Sequence, residues 1–442
     1  MRVSVIGCGY LGAVHAASLA QLGHTVTGVD VDSEKIAHLG AADPPFYEPG
    51  FADLLRSSLA SGRLRFSTDY ADAASCDVHF ICVGTPQADG SRAADLAFIR
   101  ASVAALIRVL EGQTRRTVVV GKSTVPVGTA RSIAADLALT SPNTVLVWNP
   151  EFLREGLAVK DTLEPDRIVY GLEDGERGQF GARTLDQIYS QALGRNTPKI
   201  ETDYETAELV KVSANSFLAL KISFINAVSR VCDATGASVT DLSSALGLDE
   251  RIGPKFLRAG LGFGGGCLPK DLRAFSVRAA QLGAAGLAEL LDQVDRINLD
   301  QRDHIVELTA AAAGPDLAGQ RIAVLGVAFK PGTDDLRDSP ALAVAAKLAQ
   351  RGAVIAVYDP AAGPNLPAAI PNLPLTVAAT PADAVKGATA VLVLTEWPEF
   401  SNLDPTELGP LVARPIVIDG RNTLDPALWR QSGWEYHGVG VR

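Results

Sequence analysis

Short apolar runs separated by helical stretches dominate the first 200 residues. Val3–Ile6 predicts a strand, a glycine turn and a helix through Leu22 come next, and Thr25–Val29 predicts a second strand, so the chain opens with a βαβ unit. Helical segments such as Leu96–Leu110 alternate with further strands, which the pattern places at Val78–Val83, Thr117–Val120, Val145–Trp148 and Ile168–Tyr170. Because strands that are buried on both faces read as continuous apolar runs, this order predicts a doubly wound parallel sheet.

The pattern changes near residue 203. Asp203–Gly236 predicts one long helix, and no strand is indicated again until about residue 321. Strands then return at Ile322–Leu325, Val354–Val357, Ala390–Leu394 and Ile416–Ile418. The predicted fold is α/β, with two Rossmann-like doubly wound parallel-sheet domains joined by a long central helix. The domain limits that we expect are 1–200, 201–316 and 317–442.

Composition narrows the class of protein. The 442 residues are 47% hydrophobic and 20% charged, which is typical of a globular chain with more than one core. A net charge of -10 and a sequence pI near 5.2 argue against a nucleic-acid partner and against an anionic membrane surface. An anionic substrate must therefore meet a local cluster of donors.

The cysteines and the apolar segments indicate a cytoplasmic protein. Five irregularly spaced cysteines fit reduced thiols better than a disulfide framework. The first apolar run leads directly into the glycine motif, which signal cleavage would destroy. The longest apolar helical stretch, Ala207–Val228, contains Glu208, Lys211 and Lys221, so we expect a buried helix of a soluble protein and not a membrane span.

A dinucleotide motif follows the first strand. Gly7-Cys8-Gly9-Tyr10-Leu11-Gly12 opens a helix, and Asp30 ends the next strand 18 residues after Gly12. The glycines permit a tight turn and close approach of a pyrophosphate, while the helix N-terminus offers N–H groups and a positive dipole. Asp30 would accept the ribose hydroxyls and repel a 2′-phosphate, which predicts NAD and not NADP. Thr85-Pro86 is a candidate second contact, or a simple turn that ends a strand.

The most unusual segment surrounds one cysteine. Gly262-Phe263-Gly264-Gly265-Gly266-Cys267-Leu268-Pro269-Lys270-Asp271 places four glycines beside the thiol. Such a loop permits approach of a ligand and leaves the thiol accessible, and Lys270 would favour the thiolate that acts as a nucleophile. Cys76, Cys82 and Cys232 are expected in the core, and Cys8 needs only to be small.

Three other segments carry candidate chemistry. Lys211 and Asn215 lie four residues apart on the long predicted helix, so they share one face, which is either functional or a solvated surface. The loops Lys122–Gly128 and Asn149–Glu155 each follow a predicted strand, at the carboxyl edge where open parallel sheets bind ligands. Thr124 and Glu151 are therefore expected near the cofactor.

Taken together, these motifs resemble the UDP-glucose/GDP-mannose dehydrogenase family of sugar-nucleotide dehydrogenases. The resemblance runs through all three regions. It rests on Tyr47-Glu48-Pro49-Gly50, Lys-Ser-Thr-Val-Pro-Val-Gly, Asn-Pro-Glu-Phe-Leu, the Lys211/Asn215 helix, the Cys267 loop and Gly326-Val327-Ala328-Phe329-Lys330.

The resemblance implies a four-electron oxidation of UDP-glucose at C6, with NAD as hydride acceptor. Cys267 would capture the aldehyde as a thiohemiacetal, which a second oxidation converts into a thioester. Glu151, Thr124 and Asp271 would orient or deprotonate the hydrolytic water, and Lys211 and Asn215 would stabilise charge on the C6 oxygen. The first proton acceptor stays open between Lys211, Asp271 and a water held by either.

The resemblance also implies the binding residues. Those for the cofactor are Gly7, Gly9, Tyr10, Leu11, Gly12, Asp30, Lys35, Thr85, Pro86, Thr124, Glu155, Lys270 and Arg337. Those for the sugar nucleotide are Glu151, Phe152, Leu153, Glu155, Lys211, Asn215, Arg251, Phe256, Gly264, Phe329, Lys330 and Arg421. Arg251 is similar to a family arginine that reaches the neighbouring subunit, so a homodimer through the long helix is expected. The three predicted domains then bind NAD, carry the cysteine loop and bind the UDP-sugar. No metal is expected.

Two departures from the family pattern concern the substrate and cofactor pockets and not the reacting atoms. Gly266-Cys267-Leu268-Pro269 differs from the Ser-Cys-Phe-Gln form of animal members, and Lys35 replaces a common arginine. GDP-mannose or a UDP-N-acetylhexosamine is the alternative substrate, although Arg251 and the Tyr47 loop favour UDP-glucose. A nucleotide-sugar or NAD-binding regulator without turnover is the alternative from another class, but such a protein needs no nucleophile.

Overall fold

A computed structural model describes residues 1–371 and 373–441. The chain divides into two compact units, Met1–Ala214 and Asn215–Arg442. The domain limits expected from the sequence stay a prediction.

The first unit is built on one sheet. Its described strands are β1 (Arg2–Ile6), β2 (Thr25–Val29), β3 (Leu64–Ser67), β4 (Val78–Ile81), β5 (Thr117–Gly121), β6 (Thr144–Trp148), β7 (Ile168–Gly171) and β8 (Lys199–Thr202). Its helices are α1 (Tyr10–Gln21), α2 (Ser33–Gly40), α3 (Phe51–Ala60), α4 (Ala97–Leu110), α5 (Thr129–Thr140), α6 (Ala158–Leu163), α7 (Glu176–Ile188) and α8 (Ser190–Gly194), with a 3₁₀ turn at Tyr70–Ala73.

The strand order is β3-β2-β1-β4-β5-β6-β7-β8. The pairs from β3 to β6 are parallel, and β3-β2-β1-β4-β5-β6 is the order of a dinucleotide-binding sheet. The prediction of a parallel sheet is wrong at one edge only, since β7 meets β6 antiparallel through Trp148 and Gly171. Strands β4, β5 and β6 are buried throughout, because helices cover both faces of the sheet.

A second sheet forms the second unit. Its strands are β9 (Arg321–Leu325), β10 (Val354–Tyr358), β11 (Leu375–Val377), β12 (Ala390–Val393), β13 (Ile416–Asp419) and β14 (Glu435–Gly438). The order β11-β10-β9-β12-β13-β14 is parallel throughout and repeats the strand order of the first sheet. The prediction of two doubly wound sheets is therefore confirmed.

Helices surround this second sheet and precede it in the chain. They are α10 (Val239–Gly247), α11 (Leu268–Gln281), α12 (Ala285–Ala313), α13 (Pro340–Gln350), α14 (Leu366–Ala369), α15 (Pro381–Val385), α16 (Pro398–Ser401), α17 (Pro405–Leu408) and α18 (Pro426–Gln431), with 3₁₀ turns at Gly363–Asn365 and Gly409–Leu411. Helix α12 packs against α11 and against α13.

The long central helix, α9 (Tyr204–Thr235), begins in the first unit and ends in the second. Within the described residues it is the one helix that is long and apolar enough to cross a membrane by length and composition alone. Ala207, Ala219 and Ile225 are fully buried, so part of it serves as a core helix. The expectation of a wholly buried helix is wrong, because Phe217 and Phe224 are exposed.

The strands that the sequence pattern missed are β3, β8, β11 and β14. Each lies at an edge of its sheet. An edge strand is covered less completely than a central one, and all four contain partly or fully exposed positions. They therefore lack the uninterrupted apolar run that identified the central strands.

We predict that Trp148→Ala destabilises the first unit. Trp148 is 1% exposed at the end of β6, and its ring occupies the space that a Cβ at Gly121 would need. Loss of this side chain should lower the free energy of unfolding by about 3–5 kcal/mol, measured by urea denaturation. Leu139→Ala, at a position that is 84% exposed, is the control and should change it by less than about 0.5 kcal/mol. Equal effects of the two changes would contradict the packing described here.

Candidate active site

The glycine motif forms a tight turn between β1 and α1. Gly7 has φ +90°, and a Cβ at Gly12 would overlap the carbonyl oxygen of Gly7, so neither position accepts a side chain. Gly9 caps α1, which exposes the N–H groups of the first helical turn, including those of Tyr10 and Leu11. This geometry fits the pyrophosphate of NAD, because the turn has no side chain in the way and the helix dipole favours an anion.

Asp30 lies directly after β2, beside the glycine turn. Its Oδ2 accepts the N–H of Cys8 at 2.7 Å, so the carboxylate is held against the glycine turn. Lys35 contacts the same carboxylate, with Nζ 3.1 Å from Oδ2. The carboxylate is 10% exposed and fits the position predicted for a ribose contact. Cys8 itself is buried, and burial raises the pKa of its thiol.

Tyr10 connects α1 to two loops. Its hydroxyl donates to Glu48 and accepts the N–H of Gly156 at 3.1 Å, and burial with the bond to Glu48 raises the pKa of Tyr10 strongly. Glu48 also accepts the N–H groups of Gly156 at 2.6 Å and Ala158 at 2.7 Å, at the start of α6. Glu48 was not among the expected site residues, although the Tyr-Glu-Pro-Gly motif contained it.

Hydrogen bonds fix the loop that carries Thr124. Thr85 Oγ1 donates to the carbonyl oxygen of Thr124 at 2.8 Å, and Ser123 Oγ donates to that of Val83 at 2.7 Å. Thr85 is buried, and the adjacent Pro86 is exposed. Thr85 therefore supports the Thr124 loop, a role that the sequence did not indicate.

Glu208 fixes the other end of this loop. Its carboxylate oxygens accept the N–H groups of Gly128 and Ala130, each at 2.7 Å, at the N-terminus of α5. Burial raises the pKa of Glu208 to about 7, although these donors oppose the rise. The sequence marked Glu208 only as a charge that interrupts an apolar helix. Its hydrogen-bond partners lie about 80 residues away in the sequence, so no local spacing pattern could indicate them.

Glu151 and Lys211 form an ion pair in the first unit. The distance from Lys211 Nζ to Glu151 Oε1 is 2.8 Å, and Lys211 is 6% exposed at its side chain. Glu151 also accepts the N–H of Leu153 at 2.6 Å. The alternative of a solvated helix face is therefore wrong for Lys211. A buried ammonium with a carboxylate partner is an arrangement that can stabilise charge on a bound oxygen.

Two cations lie near the ring of Phe152. The guanidinium of Arg167 is 3.7 Å from the centre of the ring, and Lys211 Nζ is 5.8 Å from it. The sequence did not indicate Arg167 as a site residue, because it directly precedes β7 and lies outside the motifs described above. Glu155, expected at both binding sites, is half-buried in the loop that follows Phe152.

The second unit exposes the thiol of Cys267 at the start of α11. Cys267 is the N-cap of this helix, Pro269 lies in its first turn, and the Cys267 carbonyl accepts the N–H of Asp271 at 2.9 Å. The other four cysteines are buried. An exposed thiol at a helix N-terminus is placed to react as a thiolate, because the helix dipole favours negative charge there.

Asp271 is the centre of a small polar cluster beside Cys267. Its Oδ1 accepts from Lys270 Nζ at 2.6 Å, and its Oδ2 accepts from Asn215 Nδ2 at 2.7 Å. Asp271 is 2% exposed and Asn215 is 9% exposed. Asp271 therefore holds the Asn215 amide and the Lys270 ammonium on its two carboxylate oxygens.

The glycines around Cys267 have a packing role that the sequence did not indicate. Side chains at Gly262, Gly264, Gly265 and Gly266 would overlap Asn298, Asp338, Phe329 and Arg337 respectively. All of these residues belong to the second unit. The glycines therefore allow the loop to pack closely against its own unit, and their part in the approach of a ligand stays a prediction.

A cavity of about 300 Å³ in the second unit collects five predicted substrate residues. These are Phe256, Gly264, Phe329, Lys330 and Arg421. Leu268, the neighbour of Cys267, also lines it, and Arg258 and Glu396 are lining residues that the sequence did not single out. The cations suit a diphosphate, and the phenyl rings suit a planar base.

Arg421 is held at this cavity by several acceptors. It donates to the carbonyl oxygens of Leu394 at 2.9 Å, Gly262 at 2.9 Å and Phe329 at 3.2 Å. Asp419 fixes the same turn by accepting the N–H of Arg421 at 3.1 Å, and burial raises the pKa of Asp419. The guanidinium thus joins the cysteine loop to the ends of the second sheet.

Arg337 and Arg251 lie outside the cavity. The side chain of Arg337 is 63% exposed and pairs with Asp335 at 2.7 Å, with its guanidinium against Gly266. That of Arg251 is 89% exposed and pairs with Asp249 at 2.6 Å. The role of each in binding NAD or the sugar nucleotide stays a prediction. In the described residues, no group of three or more His, Cys, Asp or Glu side chains is placed to hold a metal ion.

Family models match the chain in three consecutive segments. Residues 1–193 match the NAD binding domain of the UDP-glucose/GDP-mannose dehydrogenase family, 205–300 its central domain and 323–426 its UDP binding domain. The chain belongs to the UDP-glucose/GDP-mannose dehydrogenase family. Its first unit accordingly carries the cofactor domain for NAD, and its substrate class is a nucleotide sugar.

Individual relatives extend over the whole chain. A UDP-glucose 6-dehydrogenase of Rhizobium meliloti (strain 1021) is 40% identical over 443 residues, covering 100% of this chain and 99% of the relative. The structure of a UDP-glucose dehydrogenase from Pyrobaculum islandicum has a TM-score of 0.90 at 37% identity, covering 100% of this chain and 98% of that one. A UDP-D-ManNAc dehydrogenase from Pyrococcus horikoshii has a TM-score of 0.83 at 25% identity, with 100% and 99% covered.

We predict that Gly9→Ala weakens NAD binding without loss of fold. A Cβ at Gly9 meets no protein atom within 4 Å, and φ is -68°, so alanine is tolerated there. The methyl group would instead occupy the approach of the pyrophosphate, and the NAD dissociation constant should rise on the order of tenfold, about 1.4 kcal/mol. Titration calorimetry measures it. Gly40→Ala in α2, also without close neighbours, is the control. Unchanged affinity of the Gly9 variant would place the pyrophosphate elsewhere.

Proposed function

We propose that this protein oxidises C6 of UDP-glucose to a carboxylate, forming UDP-glucuronate by way of a thioester on Cys267. The observation that carries the proposal is the exposed thiol at the start of α11, next to a cavity that contains Lys330, Arg258 and Arg421. A nucleophile beside a cationic cavity suits a diphosphate-linked substrate that is captured covalently.

The reaction consumes one water and two NAD for each UDP-glucose. NAD, when bound, accepts the hydride that C6 loses in each of the two oxidations. The first oxidation gives an aldehyde, and the Cys267 sulfur forms a C–S bond to it. The second oxidation gives the thioester, and water then breaks the C–S bond. With the product ionised, three protons are released, so atoms and electrons balance.

Charged and polar side chains stabilise the C6 oxygen and orient the hydrolytic water. We assign Lys211 and Asn215 to the oxygen on C6, because a buried ammonium and an amide stabilise negative charge there. We assign Glu151, Thr124 and Asp271 to the hydrolytic water. The ion pair of Glu151 with Lys211 and the bond of Asp271 with Asn215 support these roles. The first proton goes to Lys211, Asp271 or a water bound to one of them.

UDP-glucose is favoured over other sugar nucleotides by the comparisons. Identity to the two UDP-glucose dehydrogenases is higher than to the UDP-D-ManNAc dehydrogenase. A binding protein without turnover is disfavoured, since a protein that only binds its ligands needs no exposed nucleophile such as Cys267. The acidic net charge and the absence of disulfides among the five cysteines support a cytoplasmic enzyme without a nucleic-acid or membrane partner.

A homodimer through α9 completes the proposal. Phe217, Phe224 and Val231 are 62%, 53% and 62% exposed and recur every seven residues, so they form one apolar stripe on the helix. An apolar stripe of this size is expected to pack against a partner. The exposed Arg251 is the residue that we expect to reach the neighbouring subunit's site.

We predict that the wild type forms two NADH for each UDP-glucose, measured by absorbance with the product identified by mass. Cys267→Ala should form no acid while it still binds NAD and UDP-glucose, because only the covalent step needs the thiol. Cys76→Ala, at a buried thiol in the first unit, is the control and should keep two NADH. One NADH per sugar from the wild type would remove the thioester step. Normal acid formation by Cys267→Ala would remove Cys267 from the mechanism.

We predict that charges on the α9 stripe dissociate the dimer. Phe217→Lys with Phe224→Lys should sediment as a monomer at concentrations where the wild type is a dimer, since two buried ammonium groups would oppose association. This variant should also lose acid formation if Arg251 acts in the partner's site. Leu139→Lys, on the exposed side of α5, is the control. A wild-type monomer, or a double variant that remains dimeric, would contradict the interface.

A further inference from the structure

We infer that Lys122 is a positioning residue that ties the Thr124 loop to the Glu151 loop. Lys122 directly precedes Ser123-Thr124, and Asn149 directly precedes Pro150-Glu151. Lys122 Nζ donates to Asn149 Oδ1 at 3.1 Å, so one hydrogen bond joins the two loops where they leave β5 and β6. The inference rests on the proposed function, in which Thr124 and Glu151 handle the hydrolytic water.

The link is part of a closed set of buried hydrogen bonds. Tyr189 Oη donates to Asn149 Oδ1 at 2.7 Å and accepts from Lys122 Nζ at 3.4 Å. Asn149 Nδ2 donates to the carbonyl oxygen of Val169 at 2.9 Å, which anchors it to β7. The Lys122 ammonium also lies 5.9 Å from the ring centres of Phe80 and Tyr189. These hydrogen bonds fix the orientation of the Asn149 side chain, and with it the start of the Glu151 loop.

Burying an ammonium group in a protein core costs free energy, because the charge is removed from water. Lys122 is 6% exposed, and its hydrogen-bond partners, Asn149 and Tyr189, are neutral. An apolar side chain of the same length would fill the space without the cost of burying a charge. The charge of Lys122 is therefore not explained by packing. Its hydrogen bond to Asn149 and the charged groups around it indicate a role in positioning the two loops.

Titratable and charged groups from several elements lie around Lys122. They are His15 in α1, Cys82 after β4, Glu151 after β6, Tyr189 after α7 and Lys211 in α9. Glu151 and Lys122 line one cavity of about 40 Å³ together with Asp161, Asp166 and Arg167, and Glu151 is a carboxylate that interacts with the charge of Lys122. The ammonium therefore lies near the carboxylate that we assign to the hydrolytic water. Burial lowers the pKa of Lys122 to about 8, while Glu151 and Cys82 oppose this.

Lys122→Met tests the inference in the full-length enzyme. The change keeps the length of the side chain and removes both the charge and the donor. Binding of NAD and UDP-glucose and the first hydride transfer should stay near wild type, while hydrolysis of the thioester slows about 10- to 100-fold. Stopped-flow absorbance separates the two NADH steps, and mass spectrometry of quenched enzyme should detect the acyl group on Cys267.

Tyr189→Phe is the matched control, because it removes one hydrogen bond to Asn149 and leaves the ammonium in place. It should slow hydrolysis less than Lys122→Met does. The hydrolysis rate of the wild type should fall as the pH rises through about 8, because the Lys122 ammonium loses its proton there, and this fall should be absent in Lys122→Met. A structural role alone would lower thermal stability in both variants and slow all steps together, without altering the pH profile.

Each result separates this inference from the proposed function. If the wild type forms no acid, the proposed function fails. If the wild type forms acid and Lys122→Met hydrolyses the thioester at the wild-type rate, the inference alone is overturned. If Lys122→Met does not fold, Asn149→Ala serves instead, because it removes the link and keeps the charge. Selective slowing of hydrolysis by Asn149→Ala supports the link, and equal slowing of both oxidations overturns it.

Discussion

The direction of the strands decides where the chemistry of this protein lies. In a parallel sheet every carboxyl end faces the same edge, so the loops that follow the strands meet there. In the first unit Gly7 follows β1, Asp30 follows β2, Thr124 follows β5 and Glu151 follows β6. The second unit repeats this arrangement, with Phe329, Lys330 and Arg421 after its central strands. Within each unit, residues that are far apart in the sequence therefore lie at the same edge of the sheet.

Close packing of the cysteine loop is the second constraint. Gly265 lies against the ring of Phe329, and Gly266 lies against the guanidinium of Arg337, so any side chain would push the loop away. Arg421 then bonds to the carbonyl oxygen of Gly262 in the same loop. These contacts hold the loop firmly, while Cys267 at its end stays exposed. Rigidity around an accessible nucleophile is what a covalent reaction needs.

Buried charges in the candidate site rarely stand alone. Lys211 pairs with Glu151, Lys270 pairs with Asp271, and Glu208 accepts two N–H groups at the start of α5. Such partners offset the cost of removing charge from water and fix each side chain in one direction. Lys122 differs, because its hydrogen-bond partners are neutral. Two loops that carry proposed catalytic residues meet at this lysine.

The sequence alone determined the two sheets, the long helix, the NAD motif and the family, because local periodicity and short glycine motifs encode them directly. It missed the edge strands β3, β8, β11 and β14, whose exposed positions break the apolar run. It did not indicate that the glycines near Cys267 pack closely against Asn298, Phe329 and Arg337. Only the tertiary structure decided the hydrogen-bond partners of Glu48, Glu208 and Lys122. Hydrogen bonds between distant segments produce no regular spacing of residues in the sequence. Packing and burial, which no local pattern records, assigned those three their roles.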